Sequence, residues 1–437
     1  MMKKHISILL FLWSFFVFAQ LDTEHWFAPM SARAGMSNAE GYLYLSTNET
    51  TPFSVNIYNN NIVYQSVTIS KGNPQKISIP ASFMMTTNQN LLFTPNTMGL
   101  YLSGSKKFFA NYRFAVTNHA EIITSKGLAS LGKTFYTAMA PNTIAVYYVS
   151  SMIGVIATED NTTVTVSGYD PNVVFSDGVS APTRTFALNR GKSFILDVAS
   201  DDAQANLAGL IGAKIVADKP ISVTNGNFNA IYTNQNFSNN DILMDQSVPI
   251  ERLGNDFVMV KGNGLITSEM EQALVVSTED NTTITVNGVN TGITLNAGKY
   301  ALIAGTNYID QGGGNYNMSI KTSKNAYVYQ LLGGTSTGTI YATGGFNYIP
   351  PLSCFLPNKV DEIGLINTIG NTSYFTKLNI ITQTGANVSV NGAAIASANG
   401  PYPITGNPNW VTYSIPGVTG NITVNSTKAV TAGISAG

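Results

Sequence analysis

Charge, cysteine and histidine are all scarce in this sequence, and each shortage closes off a class of function. Asp, Glu, Lys and Arg make up 11% of the 437 residues, where globular proteins usually carry roughly 25%. With 23 basic against 24 acidic residues there is no cationic surplus to draw a phosphate backbone, which argues against nucleic acid as a partner. The single cysteine, Cys354, rules out an internal disulfide framework and leaves stability to burial and strand pairing. It lies among prolines with no histidine beside it, a poor setting for a thiolate nucleophile. The three histidines, His5, His25 and His119, stand far apart and match no zinc-ligand spacing; surface or capping roles are the ordinary expectation for the last two. Gly312-Gly313-Gly314 lacks the lysine and helix of a phosphate-binding loop.

Long apolar runs are also missing, with one exception. Lys3 and Lys4 precede an apolar run from Ile6 to Phe18 that ends at Ala19 before Gln20, which predicts a secretory signal peptide over residues 1–19. The run is shorter than the roughly 20 residues of a spanning helix, and no later segment is apolar enough to cross a bilayer. Its removal leaves 21 basic and 24 acidic residues. Solubility then rests on Asn, Thr, Ser and Gly, while a hydrophobic content of 44% supplies ample core.

What the sequence does have is repetition. Thr278-Glu279-Asp280-Asn281-Thr282-Thr283-Ile284-Thr285-Val286 is matched by Thr158-Glu159-Asp160-Asn161-Thr162-Thr163-Val164-Thr165-Val166, with weaker copies at Thr382–Gly392 and Ser46–Asn56. Glu-Asp-Asn suits a chain reversal because Asp and Asn bond their own backbone and tolerate left-handed geometry. The alternation that follows predicts a strand with one buried face. Each copy ends in an aliphatic residue four positions before a lysine, at Lys106, Lys219, Lys324 and Lys428, spaced 113, 105 and 104 residues apart. These lysines read as tight polar turns between two strands. Asn189-Arg190-Gly191-Lys192 and Asn296-Ala297-Gly298-Lys299 read as hairpins, and Tyr169 to Thr183 as a surface-loop insertion.

The fold class that follows is all-β, in tandem repeats of about 105 residues forming antiparallel sandwich-like modules that stand separately or share one pseudo-symmetric core. The divisions are a signal peptide 1–19, module one 20–128, module two 129–250, module three 251–349, and a linker with module four over 350–437. The fourth stops nine residues past Lys428 and reads as cut short. The one helical expectation is a short helix at Asp202–Leu210.

Candidate chemistry is thin. Glu159 with Asp160 and Glu279 with Asp280 are adjacent pairs whose recurrence in equivalent turns points to chain reversal more than to acid–base work. Asp201-Asp202 and Asp241 to Asp245 offer loop oxygens for calcium, although without a calcium-loop spacing. Ligand contact falls to aromatic rings, on which sugars and proteins both stack, and Trp26, Trp410, Tyr147 and Tyr148 are the candidates.

Several short motifs in order resemble the IgGFc-binding protein N-terminal domain family, in particular exported members of Bacteroidota type. They are Glu24-His25-Trp26-Phe27, Ala217-Asp218-Lys219-Pro220-Ile221-Ser222-Val223 with Gly226-Asn227, Val248-Pro249-Ile250-Glu251-Arg252-Leu253-Gly254-Asn255-Asp256-Phe257, the Glu-Asp-Asn-Thr-Thr turns, and Pro350-Pro351 with Cys354. The resemblance covers most of residues 21–356 and implies no catalytic motif and no cofactor. It implies a secreted or cell-surface, non-enzymatic adhesion or recognition protein that binds an extracellular protein or glycan. An accessory carbohydrate-binding protein and an extracellular hydrolase with calcium-stabilised loops are the alternatives.

Overall fold

The computed structural model describes residues 20–33, 36–117, 119–233, 241–265, 268–333, 344–353 and 356–436. The signal-peptide expectation, Cys354 and most of the polar loop after Thr233 lie outside the described residues. Every regular element is a β-strand or a short 3-10 turn. The helix expected at Asp202–Leu210 is one such turn, Gln204–Leu207, because Asn206 is drawn off to bond the carbonyls of Val174 and Ala199 through its side chain.

The first three modules share one plan, each built on a long strand: Leu100–Val116, Lys214–Ala230 and Tyr316–Gly333. The first half of each is flanked by an opening strand (Leu21–Phe27, Gly132–Tyr136, Gly254–Val260) and by the strand after the acidic turn (Phe53–Asn59, Thr162–Ser167, Thr282–Val286). The second half is flanked by an inner strand (Glu40–Ser46, Ser150–Ala157, Gln272–Ser277) and a closing strand (His119–Thr124, Asp241–Gln246, Gly344–Tyr348). All these pairings are antiparallel, so one continuous strand belongs to both halves of a curled sheet.

The lysines therefore do not mark turns in modules one to three. Polar residues around Lys106, Lys219 and Lys324 bend the long strand, but ladder partners on both sides of the bend keep the backbone extended. The opening strands slip register opposite the bend, between Asp22 and Glu24, Gly132 and Thr134, and Gly254 and Asp256. Only in module four does the strand break, into Ile422–Ser426 and Val430–Ala436 on either side of Lys428.

What the lysines do is hold the repeated turns, acidic in the first three copies and neutral in the fourth. Lys219 donates to the carbonyl of Asp160 at 2.5 Å, Lys324 to that of Asp280 at 2.6 Å and Lys428 to that of Thr384 at 2.6 Å, while Lys106 meets the Glu49 carboxylate at 3.1 Å. The Asp160 and Asp280 carboxylates accept the backbone N–H of Arg190 and Ala297, both at 3.0 Å, and so fasten the turn to the neighbouring Gly-Lys hairpin. Asn161 and Asn281 sit at φ of 53° and 58°, the left-handed region in which Asn is tolerated best after Gly.

Burial follows the alternation. Val164, Val166 and Ile284 are fully or nearly fully buried, each contributing roughly 1.5–3 kcal/mol over an exposed side chain. The cores are not confined to modules. One cluster joins module two residues such as Phe135 and Ile215 to Tyr327, Tyr329 and Phe346 of module three, and another joins Phe27 and Tyr112 to Phe228 and Met244. The Tyr169–Thr183 insertion is an exposed loop only in part, since Tyr169, Val173 and Phe175 turn inward into the first of these.

Candidate functional site

The three closing strands lie side by side, each laddered to its own long strand and not to its neighbour. Their outward N–H groups would be left buried and unpaired, and carboxylates take that place. Asp241 Oδ2 accepts from the backbone N of Gly344 at 2.6 Å, and Asp245 Oδ2 from that of Tyr348 at 2.9 Å. Glu121 Oε2 reaches the N of Met244 at 3.4 Å. In each case an acid on one closing strand satisfies the edge of the next. Residues 241 and 245 share one face of their strand because side chains alternate with a period of two.

The second oxygens face basic side chains. Lys126 Nζ contacts Asp245 Oδ1, with both side chains 6% exposed, and His119 Nδ1 lies 3.2 Å from Asp241 Oδ1. Burial pushes the Glu121 carboxyl well above its usual range, and the nearby Asp241 and Asp245 push the same way. Burial also raises Asp241, against the opposing His119. For Asp245 burial acts upward and Lys126 downward, while for Lys126 burial acts downward and Asp245 upward. The direct contact, together with N–H donation from Gln246 at 2.7 Å and from Tyr348, favours the ion pair.

Against this cluster lies a cavity of about 570 Å³ whose walls come from all four modules. Glu121, Lys126 and Asp245 supply one wall, Asn347 and Tyr348 another, and Thr431–Ala436 a third. Among the described residues the buried Tyr348 hydroxyl has no hydrogen-bond partner. Among the described residues no group of three or more His, Cys, Asp or Glu side chains is placed to hold a metal ion. Asp241 and Asp245, candidates for calcium as loop oxygens, sit on a strand with both oxygens of each taken by N–H or cationic groups.

The four candidate aromatics do not come together. Trp26 is 0% exposed, stacked on Tyr101 at 4.4 Å with the Arg190 guanidinium 4.9 Å from its ring, and it joins module one to module two. Trp410 is 6% exposed and packs with Val258 and Ile404. Neither tryptophan has an open ring face on which a ligand can stack. Tyr147 is 69% exposed, makes an edge contact with the half-buried Tyr148 at 5.2 Å, and has the exposed Ile144 in the same loop. Glu159, Asp160, Glu279 and Asp280 are all exposed in their turns.

His25 is neither a surface nor a capping residue. It is fully buried, with Nε2 2.8 Å from the Phe108 carbonyl and Nδ1 2.8 Å from the Ser125 hydroxyl, and burial lowers its pKa to about 4. The other motif residues are equally structural. Asp218 accepts from the N of Thr163 at 2.8 Å, Asn227 bonds Ala140 and Ser151, and a Cβ on Gly226 would stand 2.0 Å from the carbonyl of Leu243.

A family model described as IgGFc binding protein matches residues 120–435. The match begins at the closing strand of module one and continues through module four, so it reaches further toward the C-terminus than the motifs alone and does not include Glu24-His25-Trp26-Phe27. No curated protein matches the chain.

Proposed function

The chain belongs to the IgGFc-binding family, and we propose from this membership that it is an extracellular binding protein whose ligands are proteins or glycoproteins. The family match over residues 120–435 carries the reading. The apolar N-terminal segment behind Lys3 and Lys4 fits export. No helix of the described residues is long and apolar enough to cross a membrane. The buried acids are engaged in capping strand edges and the acidic turns in reversing the chain, so binding by surface contact accounts for the arrangement more simply than turnover. Exposed Tyr147 and Ile144 are the proposed contact, since large rings and aliphatics free of core duties suit a protein surface.

Residues 20–437, presented to an array of extracellular proteins, immunoglobulin Fc among them, each with and without its glycans, should bind at least one saturably. Tyr147→Ser with Ile144→Ser should weaken that binding without lowering the melting temperature. Turnover of a polysaccharide or peptide by the purified chain, with no saturable binding, would overturn the reading. A ligand retained only in its glycosylated form would move it to a carbohydrate-binding protein.

A further inference from the structure

We propose that the side chains of Lys126 and Asp245 join to each other in an amide bond that the fold itself brings about, fastening module one covalently to module two. The two groups already stand in the required contact, Lys126 Nζ against Asp245 Oδ1, and both residues are buried. The Lys126 backbone is fixed as well, since its N–H donates to the Gln246 side chain at 2.7 Å. Holding amine and carboxyl together in this way supplies the proximity that a reaction between free molecules lacks. Packing alone does not account for the lysine. Lys126 stands five residues before Leu131-Gly132, and the residue five before Leu253-Gly254 is the buried Val248. An apolar side chain thus serves at the corresponding place in the next module, and apolar groups in place of a buried ion pair are often neutral or stabilising. Capping the Tyr348 N–H calls for an oxygen at Asp245 and not for a lysine. In the amide, Asp245 Oδ2 remains a carbonyl oxygen for that N–H, and both buried charges are gone.

The reaction balances within the cluster. The ion pair is its starting state, and burial opposes the charge on each partner, so a proton passes from Nζ to Oδ1 and leaves a neutral amine beside a carboxylic acid. The Nζ lone pair attacks Cγ. Negative charge gathers on Oδ2, where the Tyr348 N–H donates at 2.9 Å. The Cγ–Oδ1 bond then breaks, Oδ1 leaves as water and Nζ gives up a proton. Glu121 relays that proton: burial keeps its carboxyl neutral, and it lies near enough for its charge to act on Lys126 and to feel that of Asp245. It protonates the departing Oδ1 and is recharged from Nζ. One C–N bond replaces one C–O bond, one water is released, and the step needs no co-reactant.

The test is the mass of residues 20–437, purified in the folded state and then denatured with reductant. It should fall below the sequence mass by one water, and trypsin should release a branched peptide joining the segment around Lys126 to that around Asp245. Lys126→Arg and Asp245→Ala should each keep the full mass of its own sequence; should either fail to fold, the branched peptide of the wild type still decides. In chain followed from cell-free translation, Glu121→Ala should form the linked species about a hundredfold more slowly than wild type, while protease resistance, which reports folding, appears at the same rate. Glu121→Gln keeps an N–H donor and should complete the link, more slowly than wild type. Folded wild type at full mass, with trypsin cutting after Lys126, would mean a plain ion pair and would overturn the proposal. So would a loss of water that persists in Lys126→Arg, the sign of an aspartyl imide. Equal rates for wild type and Glu121→Ala would overturn the part given to Glu121. None of these readouts involves a ligand, so a blank protein array would count against the proposed function and not against the bond.

Discussion

His25 makes a quantitative pH prediction. Its ring is fully buried, and the Phe108 carbonyl can only accept, so Nε2 carries the proton and Nδ1 accepts from the Ser125 hydroxyl. Charging the imidazole would place a cation in a fully buried site, a cost that outweighs the Phe108 carbonyl and the nearby Asp22 carboxylate, and its pKa falls from 6.5 to about 4. A folded-state value below the unfolded one means that the unfolded chain takes up the proton first, so stability is retained above the unfolded value and lost as pH falls from 6.5 toward 4. At 1.36 kcal/mol per pKa unit the loss across that window amounts to about 3 kcal/mol, a large part of a typical domain stability. Urea unfolding of wild type and His25→Gln at matched pH isolates this contribution, because other titrations are common to both. The variant should be the less stable near neutral pH, for want of the paired ring nitrogens, and should close the gap as pH drops. A difference that stays constant across the window would refute the buried neutral ring.

Lys324→Met, which keeps the aliphatic stem and removes the bond to the Asp280 carbonyl, should cost about 0.5–1.5 kcal/mol in chemical denaturation and speed exchange at the Asn281 amide. Unchanged exchange there would mean the turn holds itself. Glu121→Gln should lose little near pH 4.5 and gain on wild type as pH rises. The native carboxyl is held well above its ordinary value of 4.5 by burial, so the stability it contributes is complete below that value and declines as pH rises toward the folded one. Parallel stability–pH curves for the two proteins would remove Glu121 from the buried set.

The turn strands were plain in the sequence because Thr282–Val286 and Thr162–Ser167 carry their pattern locally: a polar reversal, then strict alternation. The lysines were visible as markers but misread as turns. Ser323-Lys324-Asn325 looks like a reversal in isolation, and only the pairing of Tyr316–Gly333 with partners at both ends keeps it extended. Trp26 was a candidate as a ring on which a ligand could stack, yet it is covered from both sides, by the Tyr101 ring of its own module and by Arg190 of the next. Of the acid cluster only Asp241 and Asp245 stood out locally, as loop oxygens and not as acceptors for a strand edge. Lys126 and Asp245 are 119 positions apart, and they meet because closing strands of successive modules pack laterally.

That lateral packing also explains why the acids are there. Had adjacent closing strands paired as a ladder, backbone alone would have satisfied their edges and the modules would merge into one sheet. A carboxylate set between them accepts the outward N–H without requiring register, and a hydrogen bond to a charged acceptor is worth about 1.5–3 kcal/mol against a similar cost for leaving the group bare. The carboxylate is then itself buried and needs a partner, which Lys126 provides for Asp245 as an ion pair and the His119 ring for Asp241 at 3.2 Å. Both partners follow the long strand of module one, whereas both acids belong to module two, so the fold is tied across modules by the same groups that protect its strand edges.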